Sequence, residues 1–164
     1  MPSNPIRMPK LTMPTVLALL FGASLVPAAS TRASAEAGAD RAQPSPARVE
    51  ADTYLVEISA GSPYRVGATG SVKVSLTAKA GFHINDQYPY RFRASPPVEG
   101  VSYPKPVLER VDGQFEEKTA VFNLPFVASH AGQFAVGGVL NLSVCSPASC
   151  IVQKVPLAVT VAVQ

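Results

Sequence analysis

Cys145 and Cys150, the two cysteines of this chain, are its residues best suited to chemistry. Two thiols with four residues between them can close a disulfide, exchange it with another thiol, or supply half of a metal site. The metal option lacks ligands. Four-coordinate sites usually show two close-spaced pairs, whereas His83 and His130 are single and far apart. His83 follows Gly81 and precedes Asn85 and Asp86, so it reads as a hydrogen-bonded residue of a tight loop. No metal or other cofactor is expected. No Ser/His/Asp set, phosphate loop or paired-carboxylate signature stands out, and Glu109, Asp112, Glu116 and Glu117 read as solvated loop charge. Hydrolase chemistry therefore has no support.

The elements that must position the cysteines are strands. From Thr53 onward, apolar residues recur at every second position, a period incompatible with a helical stripe. Tyr54, Val56 and Ile58 alternate with Thr53, Glu57 and Ser59; Val72, Val74, Leu76 and Ala78 alternate with Ser71, Lys73, Ser75, Thr77 and Lys79. Tyr88, Tyr90 and Phe92 repeat the pattern, as do Ala120, Phe122, Leu124 and Phe126. A shorter extended piece is expected near Val101 to Leu108, and two long runs, Gln133 to Cys145 and Ile151 to Val163, finish the chain. Turn signals such as Gly61-Ser62-Pro63 and Val111-Asp112-Gly113 separate them. This predicts an all-β, immunoglobulin-like antiparallel β-sandwich of about seven to eight strands over residues 52–164. Pro125 predicts an edge or a bulge in its strand, and Gly137-Gly138 a bulge or close packing.

The last two runs fix where the cysteines meet. With Ser146 to Ser149 as a hairpin loop, Cys145 lies opposite Cys150, and the same register opposes Val144 to Ile151, Leu140 to Val155, Val136 to Val159 and Phe134 to Val161. Those pairs are all apolar, while Ser143 with Val152 and Asn141 with Lys154 take the other face, so patterning and cysteine pairing select one register. Both cysteines then belong to the outward face at the hairpin tip. The bond is either a staple, worth about 2 kcal/mol by loop-closure entropy, or a reversible redox site. No cation stands close enough to activate a thiolate: Lys154 is four positions from Cys150, over about 10 Å along a strand.

The compartment can be read from the N-terminus. Arg7 and Lys10 precede a short apolar stretch from Val16 to Val26, and small residues follow, which predicts a signal peptide over residues 1–35 cleaved after Ala29 or Ala35. The apolar run is too short for a membrane span and contains no following cysteine for lipid attachment, so no stable span is expected after cleavage. Residues 36–51, rich in Ala, Ser, Pro and charge, read as a flexible linker. Three of the fourteen basic residues lie in the leader, so cleavage after Ala35 leaves eleven of each sign, and cleavage after Ala29 leaves a net charge of +1. Nucleic acid is not an expected partner. Export places the thiols in a periplasmic or extracellular setting, where disulfides persist.

Gly81-Phe82-His83-Ile84-Asn85, Tyr88-Pro89-Tyr90, Leu124-Pro125, and Val144-Cys145 through Cys150 to Val155-Pro156-Leu157 together resemble the periplasmic N-terminal domain of the thiol-disulfide interchange protein DsbD. The resemblance runs from about Thr53 to Val163. It implies an immunoglobulin-like domain that relays electrons between exported or membrane thiol-disulfide proteins. By the same resemblance Cys150 forms the mixed disulfide and Cys145 resolves it. A shielding cap loop corresponds to Val107 to Phe115, with Phe115 as the aromatic cap. The spacing here is one residue shorter than in DsbD. The membrane-spanning and thioredoxin-like portions of that protein have no counterpart in this sequence, so separate proteins are expected to donate and accept electrons. The competing expectation is a non-catalytic protein-binding sandwich whose disulfide staples a hairpin. Oligomeric state is not encoded in any of these signals.

Overall fold

The alternating segments build two antiparallel sheets whose apolar faces meet. The structure, a computed structural model, describes residues 45–61 and 63–164. The expected leader and the first part of the expected linker lie outside these residues. The strands are β1 (Arg48–Glu50), β2 (Tyr54–Ala60), β3 (Thr69–Ala78), β4 (His83–Ile84), β5 (Arg91–Ala94), β6 (Val101–Ser102), β7 (Val107–Glu109), β8 (Gly113–Phe115), β9 (Thr119–Ala128), β10 (Gly132–Cys145) and β11 (Cys150–Val163). One 3-10 turn, Arg110–Asp112, joins β7 to β8.

One sheet runs β1-β2-β3-β9-β6, with β8 also paired to β9; the other runs β11-β10-β5-β7, with β4 also paired to β10. Val56, Val74, Leu76, Phe122 and Leu124 from the first meet Phe92, Leu140, Leu142, Val144 and Leu157 from the second in one core. This is the expected immunoglobulin-like sandwich. Eleven strands are present among the described residues, more than the seven or eight expected, because short pairings at β1, β4 and β8 carry little periodic signal and the Val101 to Leu108 piece divides into β6 and β7.

Three local expectations are sharpened. The folded part starts before Thr53: Arg48–Glu50 of the expected linker pairs with Leu55–Glu57, Val49 packs against the core, and Pro46 O accepts a hydrogen bond from Ala158 N at 3.1 Å. Pro125 opposes Ser71 in an unbroken ladder, and on its other side β8 reaches only Phe122 while β6 starts at Val127. Its missing N–H therefore faces a gap, a local edge rather than a bulge. Gly137 and Gly138 also sit in an unbroken ladder. A Cβ on Gly137 would meet Leu157 O at 2.1 Å and one on Gly138 would meet Arg93 O at 2.2 Å, so close backbone approach is the reason for both glycines.

Candidate functional site

The site forms where β10 ends. β10 and β11 pair without interruption from Gly132 opposite Val163 to Cys145 opposite Cys150, the register expected from the pattern. Cys145 and Cys150 are joined by a disulfide, with Cα atoms 4.0 Å apart. The intervening loop is built around Ser146. Its N–H donates to Ser149 O at 2.8 Å, while its Oγ accepts from Ser149 N at 3.2 Å and from Ala148 N at 3.3 Å. A serine side chain satisfying the amides that follow it is a common way to close a short turn.

The two cysteines are not equally exposed, which corrects the expectation that both residues lie on an open outward face. Cys150, on edge strand β11, is exposed; Cys145, on the interior strand β10, is only 6% exposed, and Ser143 on the same face is fully buried. β4 and β5 share the other edge of β10. β4 pairs with Val144 and Cys145, and β5 with Gly138 to Asn141. The chain from Asn85 to Tyr90 leaves the sheet opposite Leu142 and Ser143. There Asn85 Nδ2 donates to Ser143 Oγ at 3.2 Å, and Ser143 O accepts from both Asn85 N, at 3.2 Å, and the Tyr90 hydroxyl. Burial pushes the Tyr90 phenol up to about 12, so it remains a donor at every physiological pH.

His83 is not in a tight loop. It is the first residue of β4 and stands directly opposite Cys145, so Cys150, Cys145 and His83 form one row across three adjacent strands. His83 also lines a cavity of about 390 Å³ together with Asp86, Arg110, Phe115, Glu116 and Glu117.

Phe115, the expected cap, lies in β8 and packs partly buried against the core. Its ring centroid is 4.9 Å from that of Tyr90 and 5.4 Å from that of Phe122. The Arg110 guanidinium lies 4.3 Å over the same ring and 5.8 Å from the Tyr90 centroid, and Arg110 Nη1 is buried with no hydrogen-bond partner among the described residues. Phe115 thus reaches the cysteines through a chain of contacts: it touches Tyr90, and Tyr90 bonds the carbonyl two residues before Cys145. The sequence signals singled out the cysteines and Phe115 but not Arg110 or Ser143, whose roles follow from non-local packing. Lys154 stands opposite Asn141, along the strand from the disulfide as expected.

No protein-family model matches the chain, and no curated protein matches it in sequence. Among the described residues no helix is long and apolar enough to cross a membrane, and no group of three or more His, Cys, Asp and Glu side chains is placed to hold a metal ion.

Proposed function

We propose that this chain is an exported thiol-disulfide exchange domain that relays electrons between protein partners through Cys145 and Cys150. The observation that carries the reading is the asymmetry of the pair: one half of the disulfide is exposed on an edge strand, the other buried beside it. Exchange requires a thiolate to reach one sulfur while the other leaves, and an attacking partner can reach only Cys150. Cys150 is then the residue that forms the mixed disulfide, and Cys145 the one that leaves and later resolves it. The segments resembling the DsbD N-terminal domain and the signal-peptide-like N-terminus support the same reading, the latter by implying an oxidising compartment. A hairpin staple is the weaker use of this bond, since a ring of six residues contributes only about 2 kcal/mol by loop-closure entropy.

The reduction potential of the full chain, equilibrated against glutathione or dithiothreitol couples, tests this directly. A relay disulfide lies above about −300 mV, within reach of partner dithiols. A value below that range assigns the bond to a structural staple and the domain to a non-catalytic protein-binding role.

A further inference from the structure

From the row Cys150, Cys145, His83 across β11, β10 and β4, we infer that His83 is the acid and base for the buried sulfur of the exchange reaction. The inference rests on the exchange reading and gives it the proton-handling group that the sequence alone left unassigned.

Directly opposed residues of an antiparallel pair project to the same face, with Cβ atoms about 4.5–5.5 Å apart. The His83 imidazole and the Cys145 sulfur therefore occupy neighbouring positions on the outer face of β10, with Cys150 on the opposite flank. Cys145 is 6% exposed, so bulk water is a poor proton source for it, whereas His83 is half-buried and opens on the cavity. The charged groups that face His83 are Asp86, Glu116 and Glu117 with Arg110 in the cavity wall, and Lys118, whose Nζ donates to Phe82 O. Imidazole is the side chain whose charge changes between about pH 5 and 8, so it can both give and take a proton under ordinary conditions.

In the reductive direction, a thiolate of a partner protein dithiol attacks Cys150 Sγ. The Cys145–Cys150 bond breaks, its electron pair goes to Cys145 Sγ, and that thiolate takes a proton from the His83 imidazolium. The partner's second thiolate then attacks the partner sulfur of the mixed disulfide and releases Cys150 as thiolate, which is protonated from solvent. The partner dithiol has become a disulfide, and once His83 takes a proton back from solvent the domain has gained two electrons and two protons. In the reverse direction neutral His83 removes the Cys145 proton, and the resulting thiolate resolves the mixed disulfide on Cys150.

The test uses the chain as it exists. The two imidazoles, His83 and His130, are titrated by NMR in the oxidised form and after reduction by dithiothreitol. His130 is held elsewhere, its ring 5.0 Å from Phe134 and its Nδ1 3.1 Å from Ala131 O, and serves as the internal reference. Ionisation of the Cys145 thiol beside the imidazole registers in the His83 resonances, so the reduced form shows a second inflection at alkaline pH that the oxidised form lacks, while the His130 curve is the same in both. Reduction of the wild-type disulfide by dithiothreitol is also expected to be about tenfold faster than that of His83→Gln near neutral pH, a difference that vanishes in strongly alkaline buffer. Superimposable His83 titrations in the two redox forms overturn the inference, and because they need no variant they do so even if His83→Gln fails to fold. The exchange reading itself fails on a different readout, the reduction potential of the pair.

Discussion

At the scale of single residues, the buried hydroxyl of Tyr90 does more than fill the core. It donates to Ser143 O and accepts from Asn85 N at 3.1 Å, tying the Asn85 to Tyr90 excursion onto β10 two residues before Cys145. Tyr90→Phe leaves Ser143 O with Asn85 N alone, and chemical denaturation should show a loss of about 1–2 kcal/mol. Because the Asn85 to Tyr90 excursion is bonded to Ser143, two residues from Cys145 on the same face, the same variant should also raise the alkylation rate of Cys145 in the reduced protein. An unchanged rate would mean that the tyrosine bond does not protect Cys145. The identity of the cysteines as a meeting pair was legible in the sequence, since hairpin register is set locally by a short loop and a long alternating pattern. The burial of Cys145 was not, because it depends on a segment more than fifty residues earlier, Asn85, which bonds Ser143 across a sequence separation of 58.

At the scale of elements, the difference between long and short strands explains what periodicity could and could not reveal. β3, β9, β10 and β11 run for ten to fourteen residues with one apolar face, and their positions and pairing follow from pattern. β1 and β4 have three and two residues, too few to show a period, and they exist because a neighbour completes them. The place of His83 beside Cys145 was not legible for this reason: its glycine and Asn-Asp flanks read as a loop, while its pairing to Cys145 is a tertiary fact. β1 is held by charge as well as by its ladder. Glu50 lies 2.8 Å from Lys79 Nζ and 2.9 Å from Arg48 Nη2, and Arg48 also reaches Glu57 at 2.6 Å. Hydrogen bonding to Lys79 first and Arg48 second lowers the Glu50 carboxyl from its usual 4.5 to about 2. A depressed folded-state value contributes stability above the unfolded pKa that is lost as pH falls through the folded one. Between about pH 4.5 and 2 the docking of β1 should therefore weaken, more so in low salt because these groups are exposed. Hydrogen exchange at Val49 and Glu50, compared between the wild type and Glu50→Gln, checks this. The variant should have lost the acid dependence.

At the scale of the whole molecule, the sandwich works as a rigid frame that separates two sulfurs by exposure. The core joins the inner faces of both sheets, the outer face of β10 is roofed near its end, and β11 leaves Cys150 at an open edge. Mixed-disulfide trapping with single-cysteine variants tests exchange through that edge most directly, using a small aromatic disulfide and then a thioredoxin-type protein as partners. Cys145→Ser, which retains the exposed Cys150, should form a stable mixed disulfide at least about tenfold faster than Cys150→Ser, which retains the buried sulfur. Equal rates for the two variants, or no adduct with either, would contradict a relay that runs through Cys150.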